Sequence, residues 1–156
     1  MNIKISTTVI NPSNQKSLGV RFISAKINEQ CWKQISVKLT NAETLKVLRK
    51  LVDYIAERLE PRIDEVKSSR DAITFISKGK EFLTINITRT NLRIYFQPSC
   101  GALFSRDEKF AVEKVSFWEG SFRKSLGKYR ALTAWVSKEE HLSGIKTLID
   151  RIPTSP

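Results

Sequence analysis

Cysteine and histidine are almost missing from this chain. Its 156 residues hold two cysteines, Cys31 and Cys100, and one histidine, His141. Two thiols are too few for a disulfide scaffold. With a single imidazole they cannot complete the four-ligand Cys/His cage of a structural zinc site. Both read as buried or idle thiols, and no metal or cofactor is expected. Long apolar runs are lacking as well. None approaches the roughly 18 residues of a membrane span, and the opening MNIKISTTVINPSN has no continuous apolar stretch of the signal-peptide kind. The expectation is an intracellular, cytoplasmic protein with no membrane partner. Neither G-x-x-x-x-G-K-[ST] nor G-x-G-x-x-G occurs, which disfavours the common nucleotide-binding folds. There is no internal repeat and no low-complexity segment.

Acidic residues are also short in number. Asp plus Glu total 16 against 27 Lys plus Arg, a net charge of +11. Hydrophobic residues at 40% and charged residues at 28% are ordinary for a folded globular domain, so wholesale disorder is disfavoured. The charge imbalance therefore speaks about partners and not about fold. It favours nucleic acid first and an anionic membrane second. The excess is uneven. Residues 1–40 hold six basic residues and one acidic, whereas residues 41–70 hold seven and six, and residues 131–156 three and three. The segments that read as helices are nearly neutral, so the excess falls on strands and loops.

Periodicity gives the element order. NIKIS (Asn2–Ser6), SLGVRFISAKI (Ser17–Ile27) and KQISVKL (Lys33–Leu39) read as N-terminal strands, the last by alternation of Ile35, Val37 and Leu39 with polar residues. NPSN and INEQ read as the turns between them. Thr40 to Glu43 reads as a T-x-x-E capping box. It opens a helix with Leu45, Leu48, Val52, Ile55 and Leu59 on one stripe and Lys46, Arg49, Lys50, Asp53 and Glu57 opposite. Pro61 ends or kinks it, and PRIDEVKSS (Pro61–Ser69) adds a turn or two. Three β-prone runs follow, DAITFIS, EFLTINIT and NLRIYFQ, with KGK and TRTN as their turns. FAVEKVSFW and RALTAWV are further strands around a glycine-containing loop. Ser137 to Glu140 is a second capping box, for a closing helix with Leu142, Ile145, Leu148 and Ile149 inward and Pro153 as its stop.

The expected fold is α+β. An antiparallel sheet carries two main helices on one face, in the order helix, three-strand meander, loop, strand, helix, after N-terminal strands. A single domain spans 1–156, with residues 1–39 as a β layer and 40–152 as the core.

The stretches FISKGKEFLTINITRTNLRIYF, VEKVSFWEGSFRKSLGKY and WVSKEEHLSGIKTLIDRI resemble a family of small α+β domains found alone or attached to predicted nuclease and restriction-type proteins. The match covers residues 42–152 by pattern. Its marks are the K-G-K turn, the L-R-I-Y-F strand, the V-S run before a glycine-containing loop and the closing S-K-E-E helix. The order is also similar to double-wing domains of the MmcQ/YjbR type, which implies nucleic-acid binding. The resemblance supplies no catalytic residue.

Two basic patches carry the functional expectation. The first is WEGSFRKSLGKYRALTAW, where Arg123, Lys124, Lys128 and Arg130 fall within eight positions beside Trp118, Phe122 and Tyr129. Cations can neutralise phosphates and aromatic rings can stack on bases. The competing reading is a solvated basic loop anchored by core aromatics, and Trp135 reads as core. The second patch is Lys78 and Lys80 on one turn with Arg89 and Arg93 on the next turn and strand. Turn tips of this kind can straddle a duplex backbone, or can serve only to block edge-to-edge aggregation. Function is favoured if the patches share a face. The leading expectation is a sequence-tolerant nucleic-acid-binding module. The alternative is a protein-interaction or assembly subunit docking on a larger partner. A metal-dependent nuclease, with Asp64, Glu65 and Asp71 converging around Glu65-x-Lys67, ranks third because that motif belongs on a buried strand. His141 reads as a surface residue.

Overall fold

The computed structural model describes residues 27–155. The strands expected at 2–6 and 17–27 therefore lie outside the described residues, apart from Ile27.

The first described element corrects the sequence reading. Residues expected as a strand form helix α1, Glu29–Lys38. Two periodicities compete here. Ile35, Val37 and Leu39 alternate, but Cys31, Trp32, Ile35 and Leu39 also lie at helical spacing, and that second set is the one buried. Val37 is left 79% exposed. Asn28 caps the helix by accepting from the Cys31 amide at 2.9 Å, so INEQ is a helix start and not a turn between strands.

Helix α2, Ala42–Leu59, buries Leu48, Val52, Ile55 and Leu59 of the expected stripe and Leu51 beside them, while Leu45 is only partly buried. Each buried side chain contributes roughly 2 kcal/mol of burial. Its cap is shifted by one residue from the expected box. Asn41 accepts from the Thr44 amide at 3.0 Å, and Glu43 reaches across to accept from the Glu139 amide, also at 3.0 Å. Pro61 converts the chain to a single 3-10 turn, Glu60–Arg62. PRIDEVKSS then departs from expectation, because its second half is strand β1, Glu65–Ser68.

Strands β2 (Ala72–Ser77), β3 (Lys80–Ile87) and β4 (Leu92–Phe96) form the expected meander. Strand β5 is Lys114–Phe117, and the strand Leu132–Val136 is β8. Between them lies a two-rung hairpin, β6 (Phe122–Arg123) with β7 (Lys128–Tyr129). The main sheet is antiparallel throughout, in the order β1-β2-β3-β4-β8-β5. Helix α3, Leu142–Ile149, follows a 3-10 turn at Glu139–His141. The expected serine box is replaced by His141, whose Nδ1 accepts from the Ser137 and Lys138 amides, both at 3.1 Å. That bonding buries His141, against the surface reading.

Alternation sorts the strand residues. Ile73, Phe75, Leu83, Ile85, Leu92, Ile94, Phe96, Leu132, Ala134 and Val136 enter one apolar cluster with the buried stripes of α1, α2 and α3. The fold is α+β, with its helices on one sheet face. The other face carries no helix among the described residues.

Candidate nucleic-acid interface

The face left uncovered by the described residues follows from the strand register. One row across it reads Ala72, Asn86, Arg93, Trp135, Lys114. The adjacent row reads Lys67, Thr74, Thr84, Tyr95, Thr133, Ser116. Trp135 sits between two cations, with Lys114 Nζ 4.4 Å and Arg93 Cζ 6.0 Å from its ring centroid. Its half-buried ring corrects the expectation of a core tryptophan. Trp118 continues the β5 alternation onto the same face. Its indole N–H donates to Thr133 Oγ1 at 2.8 Å, and its ring meets Tyr95 edge-on at 6.3 Å. Three half-buried aromatic rings thus lie on one polar sheet surface.

The opening basic stretch forms the β6–β7 hairpin. Arg123 pairs with Lys128, and the Leu126 and Gly127 amides both return to the Arg123 carbonyl at 2.9 Å. Gly127 takes φ +62, a conformation that glycine adopts without a Cβ clash. Arg123, Lys124 and Arg130 are exposed and Lys128 is half-exposed. Tyr129 is not a free stacking platform. It is buried, packed by Phe117 and Phe122 with ring centroids 4.9 Å away, and its hydroxyl bonds Arg106 and Glu119. Its backbone exchanges two hydrogen bonds with Phe104, at 2.8 and 2.9 Å. Ser121 Oγ donates to the Trp118 carbonyl and accepts from the Ala131 amide. The hairpin base is therefore fixed while its tip is charged and open.

The two patches from the sequence meet only in part. Lys78 and Lys80 flank the β2–β3 turn at the sheet end where β5 leads into the hairpin. About three strand spacings, roughly 14 Å, separate them across the sheet. Arg89 lies on the turn at the opposite end, and Arg93 lies on the uncovered face between the two ends. Among the described residues Arg123, Lys124, Arg130, Lys78, Lys80, Arg89, Arg93, Lys67 and Lys114 take part in no ion pair.

The acidic trio is dispersed. Asp64 accepts from the Lys78 amide, and Glu65 is exposed on β1. Asp71 lies at the far end of the β1–β2 hairpin, where Lys38 donates to it and holds its carboxyl below the usual range. Among the described residues no group of three or more His, Cys, Asp or Glu side chains could hold a metal. None of the helices among them is long and apolar enough to cross a membrane. Cys31 and Cys100 are buried free thiols, and burial pushes the Cys100 thiol up.

Sequence reasoning missed Tyr95, Lys114 and Lys67 as members of this surface, and placed Trp135 on the wrong side. The signal was there in K-V-S-F-W, L-R-I-Y-F and L-T-A-W-V, where period two sets Lys114 with Trp118, Arg93 with Tyr95, and Thr133 with Trp135. Comparison with family models, with curated proteins and with solved structures finds no match to this chain.

Proposed function

We propose that the protein is a sequence-tolerant nucleic-acid-binding module that uses the uncovered sheet face and the β6–β7 hairpin. What supports this most is the pairing of half-buried rings with cations that no carboxylate pairs with among the described residues. Tyr95, Trp118 and Trp135 share a face with Arg93, Lys114 and Lys67, and Arg123, Lys124, Lys128 and Arg130 extend the charge beyond the sheet end. Cations of this kind displace condensed counterions from phosphates, and flat rings on a sheet accept unstacked bases of any identity.

Labelled single- and double-stranded oligonucleotides titrated across a salt series test this reading. With four to six phosphate contacts, the logarithm of the single-strand association constant should fall with the logarithm of salt at a slope of about −3 to −4. No binding at low salt sinks the proposal. A second reading, docking on an acidic protein partner, is favoured by one feature. Phe122 and Leu126 are 41% and 48% exposed beside Arg123 and Lys124. It predicts salt-sensitive capture of a protein with no competition by oligonucleotide.

A further inference from the structure

One charge is buried with no counter-charge among the described residues. Arg62, just past Pro61 at the end of α2, is only 6% exposed and belongs to none of the ion pairs among the described residues. Its Nη1 donates to the Cys100 carbonyl at 2.6 Å and the Pro153 carbonyl at 3.2 Å, and its Nη2 to the Ser99 carbonyl at 2.6 Å. A guanidinium has five N–H donors. Three are thus used, and the Nε hydrogen and one Nη2 hydrogen remain. Nε has no partner although it is buried. The only other buried side-chain polar atom without a partner among the described residues is Ser77 Oγ, on a residue also 6% exposed.

These two groups line the same cleft. It measures about 380 Å³ and is bounded by Arg62, Ser77, Lys78, Lys80, Phe82 and Ser99. Phe82 backs the guanidinium, with Cζ 4.6 Å from its ring centroid. Arg62 and Ser77, each with one buried polar atom that has no partner, thus form part of its lining, and the exposed Lys78 and Lys80 add two ammonium groups. Asp64, the nearby carboxylate, is engaged with the Lys78 amide and does not line the cleft. A buried guanidinium without a counter-charge is costly, and an anion that accepts from its free edge removes that cost.

We propose that this cleft is a binding pocket for a phosphate monoester. Three cations around one small volume match a group carrying nearly two negative charges and three strong acceptor oxygens better than they match a singly charged carboxylate. Arg62 supplies the directional bonds, Ser77 a further donor, and Lys78 and Lys80 the charge. Lys78 holds the left-handed backbone at φ 51, next to Gly79 at φ 76. The two residues make the tight turn that sets both lysines at the cleft. The phosphate could come from a free phosphorylated small molecule or from the terminus of a nucleic-acid strand. The pocket needs no other part of the proposed interface.

The test begins with inorganic phosphate and the full chain. Phosphate at about twenty times its Kd should raise the melting temperature by roughly 4–7 °C over chloride at equal ionic strength. Ser77→Ala should reduce that shift and Lys78→Glu/Lys80→Glu abolish it, while both fold normally. Arg62→Lys is read beside them, since Arg62 also ties three carbonyls. An equal shift in phosphate and chloride, or a phosphate shift unchanged in the Ser77 and lysine variants, overturns the proposal. A second arm separates the sources. A 5′-phosphorylated single strand binding at least fivefold tighter than its unphosphorylated twin, with the gain lost in Ser77→Ala, assigns a strand terminus. Phosphate-specific stabilisation without that gain assigns a small phosphorylated molecule. Failure of oligonucleotide binding alone leaves the stabilisation intact and sinks only the nucleic-acid reading.

Discussion

The helix-bearing side and the uncovered sheet face use the same cations in opposite ways. On the helix side and its flanking loops several of them are matched. Lys50 reaches Glu139 at 3.0 Å, Arg58 reaches Asp150 at 3.1 Å, Lys38 reaches Asp71 at 2.7 Å, and Arg151 holds Glu108. On the sheet face, Arg93 and Lys114 flank a tryptophan and meet no carboxylate among the described residues. A net charge of +11 does not distinguish these uses; pairing does. A matched cation has part of its field cancelled and contributes to stability. An unmatched one projects its field outward and is available to a ligand.

The comparison can be broken most severely on the helix side. A Cβ added at Gly144 of α3 would lie 2.2 Å from the Ala111 carbonyl oxygen, with backbone and not a flexible side chain in the way. Gly144→Ala should cost about 2–4 kcal/mol, read as a lowered denaturation midpoint. An unchanged midpoint would show that α3 and the 98–112 loop do not meet so closely. On the other side, replacing Arg123, Lys124, Lys128 and Arg130 together by alanine should weaken oligonucleotide binding about 100-fold at low salt and flatten its salt slope. The midpoint should move by less than about 1 kcal/mol, as expected for surface substitutions. Unfolding of that variant would turn the hairpin into a stability element.

Finer tests act on one ring and one ion pair. Trp135→Ala should lose about 1–2 kcal/mol of single-strand affinity if bases stack on the face. Equal losses for duplex and single strand would argue against stacking. Glu108→Gln should cost about 1 kcal/mol near neutral pH. In the folded protein Arg151 holds the Glu108 carboxyl down to about 2, below its ordinary 4.5. The contribution is therefore full above about pH 4.5 and is lost as pH falls toward 2. Wild type and variant should converge in stability across that acid window. Parallel curves there would assign the effect to some other contact of Glu108.

What could be read from the sequence depended on whether one periodicity spoke alone. In α2 the apolar stripe repeats over five turns with no competing alternation, and β2 to β4 alternate cleanly between turns, so both were legible. In α1 the residues that alternate overlap those on the helical stripe, and burial of Trp32 decided for the helix. Strand β1 is four residues long with one buried side chain, too short for a period to show. The hairpin cations were legible as a cluster. Trp135 and Tyr95 needed the neighbouring strands before they could be set on one surface. Arg62 was invisible, because its partners are carbonyls 37, 38 and 91 residues away.

Strand order also governs when the molecule can be completed. Strand β8 lies between β4 and β5, although it leaves the ribosome after both. Until Leu132–Val136 is made, β4 offers a bare edge and β5 has no strand to join. The first four strands can zip locally, but closure waits for a pairing between Leu92 and Val136, distant in sequence and slow to find. A nascent or truncated chain halted before Leu132 would expose the apolar Leu92, Ile94 and Phe96 along an open edge. Chaperone dependence during synthesis should concentrate in that interval.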